Sequence, residues 1–319
     1  DSLSVMRSGA RWLTLVSLGW ALARWRRLRP RSLLDNAPLE KLLAKMVPLM
    51  RLPRLIQKGH LTALAVTASS YSSGEHVTFY ESAQAVQPWV RSQRKAARDR
   101  ITHEHLLASS AIPFVFPAKG ITIDGHTEYF GDGSMRQSAP IAAAIHLGAE
   151  RVLVIGAGRM HEPRGDSTAP PSPSYPSLAQ IAGHALSNIF LDALSVDVER
   201  VQRINQTLSL IPEEKRTHSA LRPVELLVIA PSQRLDAIAA RHVGDLPGPV
   251  RTMLGALGVT SNMADVRGAA LASYLLFEQG YTQELMALGR ADTLARRADV
   301  CRFFGWKDTG AALRTRLPT

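Results

Sequence analysis

Apolar and polar positions change period several times along the chain, and each change marks an expected element. An apolar stretch from Trp12 to Ala23 runs into the basic block Arg24-Trp25-Arg26-Arg27-Leu28-Arg29-Pro30-Arg31. Capping residues precede Pro38 and an acidic Glu40 follows it, so a helix is predicted from near Ala37 through Leu42, Leu43 and Met46, then a short connector. Leu61 to Ser69 is a compact apolar run. After the turn Ser72-Ser73-Gly74, the alternating stretch Glu75 to Tyr80 completes a β-hairpin. A helical segment from His105 to Ser110 must end before Pro113, because proline restricts the residue before it and cannot extend a helix. Thr122 to Phe130 reads as a second hairpin, whose return strand enters Gly131-Asp132-Gly133.

Ala139 to Leu147 is then an apolar helix closing at Gly148, and Arg151 to Ile155 is a strand of the kind buried in a parallel sheet. Residues 161–176 hold five prolines among Ser, Gly and Asp and predict a surface loop. Helical spacing resumes at Leu178, Ile181, Ala185 and Ile189; residues 224–230 supply one more strand, and from Leu235 onward the pattern is helical. Four parts follow: an apolar and basic segment (1–31), an α/β part (32–160), the Pro/Ser-rich loop (161–176) and a mainly helical extension with one strand (177–319).

Composition narrows this picture only a little. With 319 residues, 45% of them hydrophobic, the chain can bury a sizeable core. Its single Cys301 forms no internal disulfide, which fits a cytoplasmic or membrane-peripheral setting better than a disulfide-stapled secreted one. A net charge of +11 draws the chain toward anionic surfaces of any kind. Trp12, Trp20 and Trp25 beside the arginines of 24–31 suit a headgroup boundary, so an anionic membrane met through residues 12–31 is the expected partner. A helix packed on the domain with solvated arginines explains the same segment. The apolar stretch is too short to span a bilayer, and basic-aromatic interleaving does not recur, which makes nucleic acid the weaker partner.

The candidate chemistry lies between Ala108 and Gly148. Ala108-Ser109-Ser110-Ala111-Ile112-Pro113 ends a helix, a hairpin leads to Tyr129-Phe130-Gly131-Asp132-Gly133-Ser134, and Pro140-Ile141 opens a helix closing with Leu147-Gly148-Ala149. This linked order resembles the patatin-like phospholipases over roughly residues 31–160, with Leu33-Leu34-Asp35-Asn36-Ala37-Pro38-Leu39 also consistent. Ser273-Tyr274-Leu275-Leu276-Phe277, further on, is similar to bacterial members of that family. The resemblance implies an α/β fold, a mixed or parallel sheet flanked by helices, with a mainly helical C-terminal extension. It also implies a carboxylic ester hydrolase acting on phospholipid or another acyl ester through a serine–aspartate dyad, with no cofactor.

Asp132 matches the family's aspartate, Gly131 and Gly133 are its motif neighbours, and Ser134 stands where the family carries Gly or Ala. The serine elbow Gly-x-Ser-x-Gly occurs nowhere in the chain. In the family it lies N-terminal to all of these motifs, and the opening at Asp1 without an initiator Met points to a fragment. The chain alone is therefore expected to be inactive, and the competing expectation is a non-catalytic lipid-binding or membrane-docking remnant of the same fold.

Other motifs carry less. Val152-Leu153-Val154-Ile155-Gly156-Ala157-Gly158 opens like a dinucleotide fingerprint, but no third glycine follows at the required spacing. His103-Glu104-His105 has the wrong spacing for two metal ligands on one helical face and predicts solvated side chains. Ser69, Ser70, Ser72 and Ser73 lack the elbow's preceding glycine, and Ser109 and Ser110 are expected to cap and pack a helix end.

Overall fold

The computed structural model describes residues 32, 34–135, 137–156, 193–216, 221–256 and 272–307. The predicted N-terminal segment 1–31, the loop 161–176 and the helix at 178–189 lie outside them. The chain divides into two compact units, Asp1–Gly133 and Ser134–Thr319.

In the first unit, α1 (Ala37–Met46) begins where Pro38 allows it. Asn36 occupies the N-cap without a side-chain bond; the neighbouring Asp35 carboxylate accepts the Ala37 N–H at 3.0 Å instead. What the sequence pattern left as a connector is a 3₁₀ turn (Leu49–Arg51) followed by α2 (Leu52–Gln57). Only Leu52 and Ile56, one turn apart, are buried there, too few anchors to register as a helical period.

The hairpin forms as expected, β1 (Ala63–Ser70) pairing antiparallel with β2 (His76–Ser82) in the register Val66↔Phe79. Gly74 at the turn has φ +71°, where a side chain would be strained. Two further strands, β3 (Val90–Arg91) and β4 (Arg94–Arg98), were not legible, because a polar edge strand carries no apolar alternation. β4 lies parallel to β2. After α3 (His103–Ser109), β5 (Lys119–Ile123) and β6 (His126–Asp132) form the second hairpin. Asp124 and Gly125 turn it with positive φ at both positions, the geometry that matches strand twist.

The strands assemble in the order β3-β4-β2-β1-β6-β5, a mixed six-stranded sheet flanked by helices. Leu52 and Ile56 of α2 join Val66, Ala68, Val77, Phe79, Ile101, Ala108, Ile121 and Phe130 in one apolar core. Phe79 meets both His105 and Phe130 edge-on, with ring centroids 4.5 and 5.4 Å apart.

The second unit begins with α4 (Ala142–His146), shorter than the predicted 139–147 helix. Its N-terminal side is a turn in which the buried Asp197 carboxylate accepts the Ile141 N–H at 3.0 Å. Gly148, at φ +102°, ends the segment. β7 (Arg151–Ile155) pairs in parallel with β8 (Glu225–Ile229), and α5 (Ala193–Ser209) packs Val198 and Val201 onto Val152 and Val224. This small sheet is buried on one face only: Ile155 is 79% exposed, where the sequence suggested a fully buried strand. The rest is helical: α6 (Glu213–Arg216), α7 (Leu235–His242), α8 (Gly248–Ala256), α9 (Gln279–Ala295) and α10 (Arg297–Phe304). Among the described residues no helix is long and apolar enough to cross a membrane.

Candidate active site

Asp132 is the last residue of β6, half-buried and paired in register with Ala68 of β1. The two halves of the motif, separated by a hairpin in sequence, are bonded to each other. Asp132 donates its backbone N–H to the Ala111 carbonyl at 3.0 Å, and Gly133 donates its own to the Ser109 carbonyl at 3.2 Å. The helix end of α3 therefore anchors the strand end that carries the carboxylate, using carbonyls that a helix terminus leaves without partners. Ser110 closes that helix end by donating its hydroxyl to the Leu106 carbonyl at 2.9 Å.

Neither flanking glycine has positive φ, so their reason is space rather than backbone conformation. A Cβ on Gly133 would stand 1.9 Å from the Thr67 carbonyl oxygen, and one on Gly131 would stand 2.4 Å from the Tyr71 hydroxyl. The Gly-Asp-Gly segment is thus a strand end pressed against β1. Ser134 begins the following turn, where its carbonyl accepts the Gln137 N–H at 3.3 Å.

Tyr71 is the neighbour that sequence reasoning missed. It follows β1 directly and is tied to β6 by its own N–H, given to the Tyr129 carbonyl at 2.9 Å. Half of the residue is exposed, yet its phenol end lies over Gly131. Burial of that end, and then the Asp132 carboxylate, hold the phenol above its ordinary pKa, so it stays protonated beside the aspartate. The available signal was register: Ser69 opposite Gly131 puts residue 71 at the same strand end.

The remaining candidates are structural. His105 is buried, not solvated as expected: its Nδ1 accepts the Thr102 N–H at 3.1 Å, and Nε2 lies 3.6 Å from Asp99. His103 points elsewhere, its Nε2 2.8 Å from the Val47 carbonyl. Ser70 is buried and donates to Glu128 at 2.6 Å while accepting the N–H groups of Ser72 and Ser73, so it serves the turn. No group of three metal-binding side chains occurs among the described residues.

Comparison with the curated proteins and with the solved structures gave no match. A family model does match, over residues 5–145, reaching further toward the N-terminus than the motifs and stopping before β7. That model is the patatin-like phospholipase, so the stretch of this chain that carries Asp132 is similar to that family.

Proposed function

We propose that this chain supplies the aspartate half of a lipid acyl hydrolase whose substrate is a phospholipid or a related acyl ester. The supporting observation is the hydrogen-bonded junction of the α3 end with Asp132 and Gly133, inside the matched stretch 5–145. In this reading the hydroxyl of a Gly-x-Ser-x-Gly serine attacks the ester carbonyl while the Asp132 carboxylate accepts its proton. The protonated Asp132 then returns that proton to the leaving alkoxide, and a water repeats the sequence on the acyl-enzyme. Ser134 follows this dyad position as a small residue. The domain boundaries 1–31, 32–160, 161–176 and 177–319 belong to the same proposal, as does an anionic membrane surface met through residues 12–31.

Because Gly-x-Ser-x-Gly is missing from the 319 residues, the pure chain should not turn over p-nitrophenyl esters of short or long acyl chains. Turnover that disappeared in Asp132→Asn would contradict this and place a nucleophile within the chain. The same missing elbow favours a second reading, a non-catalytic lipid-binding remnant with a purely structural Asp132. Intact mass of the natural protein separates the two: translation from Met6 supports the remnant, and an N-terminal extension carrying the elbow supports the hydrolase.

A further inference from the structure

The stretch from Ala37 to His60 leaves large apolar side chains uncovered on three successive elements. Leu42 and Met46, one turn apart on α1, are 54% and 68% exposed, and Met50 in the 3₁₀ turn is 76% exposed. Leu55 on α2 is exposed as well. Around α1 the side chains fall into three neighbouring stripes. Leu39 and Leu43 are half-buried, Leu42 and Met46 stand beside them in solvent, and Lys41 and Lys45 come next.

Charge across this stretch is positive at every charged residue but one. Lys41, Lys45, Arg51, Arg54 and Lys58 are all exposed, and the sole acidic residue, Glu40, is bonded to Lys119 at 2.9 Å. Arg100 adds a sixth cation, its guanidinium 3.4 Å from the Met50 sulfur. Exposed leucines and adaptable, unbranched methionines interspersed with long basic side chains suit a surface that is apolar below and anionic above.

We infer that α1, the 3₁₀ turn and α2 form a docking face for an anionic membrane, with Leu42, Met46 and Met50 entering the acyl boundary and the surrounding cations meeting lipid phosphates. The residues of this face are other than 12–31 and lie wholly within the described part of the chain. Its choice of occupant rests on the reading of the protein as a lipid acyl hydrolase, but binding is measured without turnover, so either can fail alone. An acidic protein partner fits less well. The cations are spread over three short elements, and the one acidic residue among them, Glu40, is already paired with Lys119, which leaves no alternation of charge to set a register.

The test is co-sedimentation of the full 319-residue chain with vesicles of phosphatidylcholine alone, or with about 30% phosphatidylglycerol added. Wild type should partition to the anionic vesicles, and less so in high salt. Leu42→Ser/Met46→Ser/Met50→Ser and Lys45→Gln/Arg51→Gln/Arg54→Gln should each bind roughly tenfold more weakly, with unchanged thermal midpoints. Three results overturn the inference. One is wild type that ignores phosphatidylglycerol, and another is either variant binding as wild type does, which moves the contact to residues 12–31 or elsewhere. The third is a large fall in thermal midpoint for the serine variant, which would show that these side chains are covered within the protein.

Discussion

At the scale of single residues, the two glycines around Asp132 differ in what stands against them. Gly133 faces the backbone carbonyl of Thr67, which cannot move without disturbing β1, whereas Gly131 faces the far end of the Tyr71 side chain, which can swing away. Gly133→Ala should therefore cost about 2 kcal/mol or more, the range for forcing atoms into a packed site. Gly131→Ala should cost less, and Tyr71→Ala should relieve most of that cost. Urea unfolding of Gly133→Ala, Gly131→Ala, Tyr71→Ala and the Gly131→Ala/Tyr71→Ala double checks this. Additive effects of the Tyr71 and Gly131 changes would mean that the ring is not what excludes the side chain. The glycines were visible in the sequence as a motif, but their reason was not, since the clashing partners come from β1 and the turn directly after it, about sixty residues earlier.

At the scale of elements, two histidines pin helices with opposite responses to pH. His105 caps the start of α3 as a neutral ring: burial lowers its pKa, against the smaller pull of Asp99 and Glu104. With a folded pKa below the ordinary 6.5, its contribution is present above pH 6.5 and lost as pH falls through the lowered value. His242, at the end of α7, has both ring nitrogens on carboxylates, Nδ1 2.7 Å from Asp245 and Nε2 2.8 Å from Glu284 of α9. Carboxylates only accept, so this ring is an imidazolium. Its bonds to Asp245 and Glu284 raise its pKa, and that contribution is complete below 6.5 and lost as pH rises through the raised value. Acidification should thus loosen 103–109, and alkalinisation 235–242, in hydrogen-exchange protection corrected for intrinsic rates. His242→Gln should abolish the second effect and cost about 1 kcal/mol at pH 6, because Asp245 and Glu284 are both more than a third exposed. If 235–242 has the same protection at pH 6 and 8.5, the imidazolium clamp is wrong. Most elements were legible where apolar side chains keep a period or an unbroken run between turn residues, as in α1, the first hairpin and β7. Those missed depend on partners instead: α2 has two anchors, and β4 is a strand only because β2 offers it an edge.

At the scale of the whole molecule, the sheet of the first unit and the family match converge on the same stretch, while the second unit adds a small parallel sheet and helices. The α/β class and the place of Asp132 could be read from motif order, because strands, turns and a helix end succeed one another at set distances. The Tyr71 contact and the bonds from Asp132 and Gly133 to α3 could not, since they arise from register and from the return of the chain after a hairpin. The most direct measurement of the central claim is the hydrolysis rate of one acyl ester by a form of the protein that carries a Gly-x-Ser-x-Gly elbow ahead of these residues, compared with its Asp132→Asn variant. Amide and carboxylate are nearly isosteric, so circular dichroism should be unchanged, while an Asn cannot accept the serine proton and turnover should fall by about 10⁴. A variant that keeps more than about a tenth of the activity would contradict the account, because Asp132 would then not be the base.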